Sequence, residues 1–446
     1  MSGAPARRDR GDWSLVTWTD RLRSLRMDVT PLRESRDFRL LFTAGSVFYL
    51  GSMVAYVAVP FAIYDLTGSN LLVGLVGLVE LGPLIVFGLY GGALADHVDR
   101  RRLLVVTGVV QVVLMGVFAW NAFSAHPRVW LIFVVAALYA AASSMQRPSR
   151  EALEPRTVRH DQIAAANALS SFAMQLGVLL GPLIGGLLMA YVGVGWCFVA
   201  GMAGYAVATV LFAAMRPYPH DGETTPPSLR GVHEGLTYAL RRRDLLGTYV
   251  VDIAAMMLAI PVVLFPALAH EVFDRPELLG LLYSAETVGA LVATALSGWI
   301  GRVHHHGRAI VIAASLYGGC IALAGLMPSF GLACLFLALA GAADMVSAVF
   351  RSTVWNQTIP DTMRGRLAGI EMLSYSVGPM VGETRAGFVA DAWSVRGAIV
   401  SGGVACVGGV LLTAVALRDF WSYDSRTDEH AVAERGRRAT GASPPA

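Results

Sequence analysis

Twelve runs of apolar residues, each long enough to cross a bilayer, decide what this chain can become. They begin near Phe38, Leu71, Arg102, Val129, Ile163, Gly195, Leu245, Leu279, Arg308, Phe330, Leu367 and Arg396. A hydrocarbon core is crossed by about 20 residues of α-helix, and helix is the form that satisfies its own backbone there. The composition agrees. Of 446 residues, 55% are hydrophobic and only 15% charged, and the mean hydropathy is +0.56. A soluble protein of this length needs far more polar surface. The expectation is an all-α polytopic membrane protein with twelve transmembrane helices.

Charge gives the orientation. All 35 Lys and Arg residues are arginine. With the N-terminus inside, only Arg128, Arg275 and Arg396 lie in outward loops, Arg385 lies within a span, and the other arginines fall in inward links and tails. Positive residues favour the cytoplasmic side, so both termini are expected inside a bacterial inner membrane. The net charge of +3 gives no sign of a nucleic-acid partner. Cys197, Cys320, Cys334 and Cys406 all sit within apolar runs and read as small buried hydrophobes, not metal ligands or disulfides.

Two six-span blocks are expected: residues 38–215 and 245–420, joined by a linker over 216–244. Residues 1–37 form an N-terminal tail in which Leu15, Trp18, Leu22 and Leu25 recur at the spacing of an interfacial helix. In the linker, Leu229, Val232, Leu236 and Leu240 suggest a short amphipathic helix, and residues 421–446 read as a polar, mobile C-terminal tail. The blocks echo each other. Gly298 opens a link about 206 residues after Gly92, and Gly378-Pro379-Met380-Val381-Gly382 repeats Gly181-Pro182-Leu183-Ile184-Gly185. A duplicated unit of this kind places a substrate site between its halves near the bilayer midplane.

One link is unlike the rest. Between the second and third spans, Gly92, Asp96 and Arg100 fall four residues apart, followed by Arg101. On a continuing helix they share one face. Glycine allows close backbone approach, and an aspartate there can sit against the free N–H groups of another helix. Such a link can latch one packing of two bundles. In the fifth span, Gly177, Gly181, Gly185 and Gly186 surround Pro182, which bends the helix while the glycines admit a close neighbour.

These motifs carry a resemblance. Gly92-x-x-x-Asp96-x-x-x-Arg100-Arg101 resembles the signature of the major facilitator superfamily, and Gly177-x-x-x-Gly181-Pro182-x-x-Gly185-Gly186 resembles that of its drug:proton antiporters. The turn Tyr64 to Ser69, Pro360-Asp361-x-x-Arg364-Gly365-Arg366 and Ala166-Asn167-Ala168-Leu169 resemble the enterobactin-exporter and macrolide-efflux branch. The resemblance implies two pseudo-symmetric six-helix bundles that export a small organic molecule, a siderophore or a drug, by proton antiport. Asp99 stands where the signature usually has glycine, and the arginine common inside the fourth span of drug antiporters is absent.

Ionisable side chains inside spans are costly and are functional suspects. Glu80 lies roughly 14 Å deep at 1.5 Å per residue; it reads as a proton carrier, a structural hydrogen-bonding group or a substrate contact. Asp344, Asp252 and Glu286 are further proton-coupling candidates. Tyr56, Tyr139, Met256, Arg351 and Tyr375 are candidates for the substrate cavity wall. Glu383 and Arg385, two apart, cannot pair with each other, so at least one faces another helix or water. His304-His305-His306 reads as solvated. No phosphate-binding loop, nucleophile elbow or zinc-helix motif occurs, so the chain is expected to be no enzyme, to need no cofactor or metal, and to use a proton gradient. The expected partners are a small-molecule substrate, protons and the lipid bilayer, with the chain a monomer. Competing readings are a proton-coupled importer of sugars or organic acids and a non-transporting membrane receptor.

Overall fold

Helix α1 (Arg36–Thr67) shows how local sequence sets each element. Ser35 stands just outside it, and its hydroxyl accepts the Phe38 N–H at 3.1 Å. At the far end Gly68 adopts φ +63°, which costs glycine little, and returns its N–H to the Tyr64 carbonyl at 2.8 Å. The chain then reverses into α2 (Asn70–Ala95). The remaining long helices are α3 (Arg100–Phe123), α4 (Val129–Leu153), α5 (Ile163–Tyr191), α6 (Val194–Ala213), α7 (Arg243–Ala259), α8 (Leu279–Ala295), α9 (His306–Leu326), α10 (Phe330–Thr358), α11 (Asp361–Ala392) and α12 (Val395–Ala416). This computed structural model describes residues 28–95, 99–218, 237–359 and 361–440. Among these, 11 helical stretches are long and apolar enough to cross a membrane, and the 32-residue α11 takes the twelfth place.

Tight turns such as Gly68 and Gly193 gather at one end of the bundle, here the turn end. The start of α1 and the end of α12 lie at the other, the terminus end. Packing repeats after six helices. Within the first half α1 meets α5 and α6, α2 meets α4, and α3 meets α4 and α6; within the second, α7 meets α11 and α12, α8 meets α10, and α9 meets α10 and α12. Each pair has its counterpart six helices later. The seams between halves obey the same rule, because α2 packs on α11 and α5 packs on α8. The fold is therefore two pseudo-symmetric six-helix bundles, as the duplicated motifs imply. Aromatic pairs fill the first bundle: Phe118 stacks on Phe198 at 5.0 Å and Phe48 meets Tyr205 at 4.8 Å.

Two features depart from a simple reading of the apolar runs. The seventh span is broken. α7 stops at Ala259, Ile260 is extended (ψ 116°), and short turns carry the chain from Val262 to Val272. Pro261 causes this, since it lacks an N–H and pushes the residue before it out of helical geometry. The second departure corrects the expectation of a mobile tail. From Arg418 the chain folds onto the terminus end of the second half and ends in α13 (Glu429–Thr440). Phe420, Tyr423 and Ala431 are buried; the Ser425 N–H donates to the His304 carbonyl at 3.0 Å, and Arg435 donates to the Ser425 carbonyl at 2.8 Å. A few apolar anchors hold a segment whose average is polar. The interfacial helix around Trp18 and most of the linker helix lie outside the described residues.

Candidate functional site

The seams between halves close at the turn end. In the α2–α11 seam, Thr384 Oγ1 donates to the Gly74 carbonyl at 2.9 Å. Gly77 is the clearance for Glu383: a Cβ there would stand 2.6 Å from Glu383 Oε2. The carboxylate of Asp391 accepts the backbone N–H groups of Asn70 (2.8 Å) and Leu71 (3.1 Å) and the Ser69 hydroxyl (2.7 Å). A side chain from one half thus caps the first helical turn of the other, where free N–H groups favour negative charge. In the α5–α8 seam, the Ser284 hydroxyl donates to the Leu179 carbonyl at 3.0 Å. The Tyr64 hydroxyl, from the first half, donates to Glu271 of the second.

The fifth-span glycines serve both kinds of contact. Gly177 and Gly181 lie against Tyr49 and Met53 of α1, where a Cβ on Gly177 would come within 2.9 Å of the tyrosine ring. Gly185 faces the Val54 backbone of the same helix. Gly186 turns to the other half, and a Cβ there would sit 2.7 Å from the Gly280 nitrogen. The Pro182 carbonyl lies against Gly280 as well.

Below the seams lies a pocket of about 140 Å³, with Ser52, Tyr56, Glu80, Tyr139, Val263 and Glu383 among its walls. Two of the cavity residues expected from sequence, Tyr56 and Tyr139, line it beside Glu80. Tyr139 is held in a chain, its hydroxyl 3.1 Å from Ser52 Oγ and 2.6 Å from the Tyr205 hydroxyl. Glu80 and Glu383 come from opposite halves, and the Glu383 carboxyl is near enough for its charge to act on Glu80. Tyr56 and Tyr283, edge-on at 6.0 Å, stand in the same field. In the sequence Glu383 stands out as an ionisable residue inside a span, just after the Gly378-Pro379 bend and unable to pair with Arg385, which suggests a gate element; its place beside Glu80 is visible only in the fold. Arg385 instead donates to the Leu258 carbonyl at 2.7 Å, where the broken seventh span leaves acceptors exposed.

A second cluster of charge is buried in the second half. Arg351 Nη2 lies 2.8 Å from Asp252 Oδ1 and 3.9 Å from Asp344 Oδ1, and its Nη1 donates to Ser347 Oγ at 3.2 Å. Asp252 and Arg351 are thus occupied by each other, while the Asp344 side chain keeps 37% of its exposure. Glu286 on α8 lies near enough to feel Asp344, and one of its oxygens is buried with no hydrogen-bond partner among the described residues. Met256 packs between α7 and α11, against Gly378 and Gly382.

At the terminus end, Arg100 donates to the Ala152 carbonyl at 3.3 Å and Arg101 to the Ala213 carbonyl. Both tie the link to the carbonyl ends of neighbouring helices, where cations are favoured. Asp99 has a structural reason for replacing glycine: it caps α3, accepting the Arg101 N–H at 2.8 Å. Gly92 and Asp96 of the expected latch, and Tyr375 of the expected cavity wall, lie outside the residues whose contacts are described. The three histidines are each engaged separately, His304 with Arg426, His305 with Asp424 at 3.4 Å and His306 with the Val303 carbonyl at 3.1 Å. No group of three metal-ligating side chains converges among the described residues. A larger cavity of about 390 Å³ opens here, lined by α1, α4, α5 and Glu154.

Two pseudo-symmetric bundles, sealed at one end and enclosing buried acids, give a membrane transporter of the major facilitator fold. Solved structures share that fold: a POT family transporter in complex with 5-aminolevulinic acid (TM-score 0.70, 12% identity, 86% of this chain and 97% of that one), and the nucleoside transporter NupG (TM-score 0.69, 11% identity, 87% and 100%). The family model for the transmembrane secretion effectors matches residues 27–436, and the chain belongs to that family. Among curated relatives, the enterobactin exporter EntS of Escherichia coli (strain K12) is 26% identical over 398 residues, covering 88% of this chain and 95% of the relative. EntS of Shigella boydii serotype 4 (strain Sb227) is 26% identical over 391 residues, covering 87% and 94%.

Proposed function

We propose that this protein exports a small organic molecule of the siderophore or drug type from the cytoplasm by proton antiport and alternating access. The observation that carries the reading is the Glu80–Glu383 pair, two carboxyls on opposite halves in one small pocket beneath the seam. Two carboxyls lining one pocket repel when both are ionised, and a proton on either removes the repulsion. The proton therefore steadies the α2–α11 seam, and its loss loosens it. Tyr56 and Tyr283 face the pair from α1 and α8. Asp344, with Glu286 beside it and Arg351 in reach, is the second site for a proton.

The arginine distribution supports a cytoplasmic terminus end. The state described is then closed outward by the Asp391, Thr384 and Ser284 contacts, with the 390 Å³ cavity on the cytoplasmic side. In the cycle proposed, substrate enters from the cytoplasm as the acids lose their protons, the outer seams part, and Asp96 against the start of α11 latches the opposite packing. Protons from outside then displace the substrate and restore the outer seal. The names of the curated relatives support export of a siderophore.

Inverted membrane vesicles with an internal acid load test this. Adding substrate from a panel of siderophores, macrolides and tetracyclines is expected to collapse the pH gradient while the substrate accumulates inside. Glu80→Gln is expected to abolish the exchange in folded protein. Unchanged proton exchange in both Glu80→Gln and Asp344→Asn removes the coupling assignment, and cotransport in the opposite sense makes the protein an importer.

A further inference from the structure

We propose that the terminus-end cavity is a docking site for the anionic oxygen group of a hydroxy acid, held by Arg150. This deepens the export reading and rests on it only for the direction of transport. The cavity of about 390 Å³ falls within the size of small-ligand sites. Its walls combine apolar side chains, Phe42 and Met174, with the polar groups of Tyr49, Asn167, Ser170 and Ser171. It is wide enough for an aromatic ring and edged for oxygen.

Arg150 is the group that points to an anion. Its guanidinium is set 5.8 Å over the ring of Phe48, a cation–π contact. Among the described residues it has no hydrogen-bond acceptor and no carboxylate within ion-pair distance, while the charges of Glu151 and Glu154 reach it from farther off. Its neighbour Arg147 is engaged with Glu151 at 2.9 Å, so that acid is already balanced. A guanidinium presents five N–H donors in a rigid fork that matches a carboxylate or another planar oxyanion. The second acid in the wall, Glu154, is near enough to attract Arg150 by its charge, and its Oε1 is buried without a partner among the described residues. A ligand that fits must therefore bring an acceptor for Arg150 and a hydroxyl for the polar wall of Asn167, Ser170 and Ser171. A carboxylate beside a hydroxyl supplies both.

The cavity also lies on the way to the proton pocket. α1 lines both, with Ser46 and Tyr49 in the first and Ser52 and Tyr56 in the second. Tyr49 is close enough to Arg150 and to Tyr139 to feel both. A ligand captured at Arg150 needs little travel along α1 to reach Tyr139 and Glu80.

Salicylate tests the site, with benzoate (no hydroxyl) and salicylamide (no charge) as comparisons. Each is titrated at pH 7 against the purified full-length protein in nanodiscs, by calorimetry and without a gradient. Wild type is expected to bind salicylate more tightly than either comparison. Arg150→Gln is expected to weaken salicylate at least tenfold and salicylamide hardly at all, and Arg150→Lys to fall between. Equal salicylate affinity in wild type and Arg150→Gln overturns the proposal, as does no binding by wild type at millimolar concentration. Should Arg150→Gln fail to fold, Arg150→Lys decides: an affinity equal to wild type overturns the site, a severalfold loss supports it. Because no proton gradient is present, anion binding and vesicle exchange fail or succeed separately.

Discussion

At the residue scale, the buried charges of the second half separate packing from coupling. Asp252, Asp344 and Arg351 each stand out in the sequence, because a charge inside a span needs a reason. Their partnership does not, since nothing along the chain says that Asp252 on α7 reaches Arg351 on α10 at 2.8 Å. Glu383 was harder still. Its importance comes from Gly77 on the other half, which leaves room for the carboxyl, and from Glu80 nearby. Breaking a buried ion pair leaves an uncompensated charge and costs about 3–5 kcal/mol. Asp252→Asn is therefore expected to lower the melting temperature in detergent, and Asp252→Asn with Arg351→Met to recover most of it. A variant pair that melts alike would mean that the contact is structurally idle.

At the element scale, α5 makes two predictions that differ in kind. Gly181 packs on Met53 within the first half, whereas Gly186 packs on Gly280 across the seam. Gly181→Val is expected to destabilise the bundle by a few kcal/mol, in the range for overpacking, and to appear as lost thermal stability. Gly186→Val is expected to leave melting of the first half nearly unchanged and to widen the turn end, read as a longer spin-label distance between α5 and α8. The glycine stripe was fully legible in sequence; its division between two neighbours was not, because that depends on the other half. The folded tail was illegible for a different reason: Phe420 and Tyr423 are isolated anchors in a polar stretch. Asp424 gives the tail a pH dependence. The Arg426 N–H, at 2.9 Å, with His305 beside it, holds its carboxyl below the ordinary carboxylate range. A depressed carboxyl stabilises the docked form above its unfolded value and stops doing so as pH falls through the folded one. Amide-exchange protection of residues 423–436 is thus expected to be level from neutral pH down to about the model-peptide aspartate value of 3.9 and to fall below it. Asp424→Asn is expected to reproduce part of that loss at pH 7.

The whole molecule hinges on α2 and α11, which meet along a seam that each state of a rocking transporter must break at one end and make at the other. The sequence shows a carboxylate at the terminus end of α2, Asp96, suited to the first turn of α11. The structure shows the reverse relation at the turn end, where Asp391 near the end of α11 caps the first turn of α2. The two carboxylates thus serve helix starts at opposite ends of one seam, and the pseudo-twofold packing carries that seam onto α5–α8. The two halves and their repeat were readable from duplicated motifs. Which end is shut was not, because one sequence encodes both packings and the difference between them is a few kcal/mol. Charge-assisted hydrogen bonds are worth about 1.5–3 kcal/mol each at most in net terms, enough to tilt such a balance. Asp391→Asn keeps the shape and the Ser69 contact but gives up the charge against the helix terminus. It is expected to move the population toward the turn-end-open state by several-fold, seen as a second, longer distance between spin labels on α2 and α11 at that end. Asp96→Asn is expected to move it the opposite way and to abolish export without loss of folded protein. If both variants shift the distances in the same direction, or neither does, the two carboxylates are not opposing latches and the balance between the packings is set elsewhere in the seams.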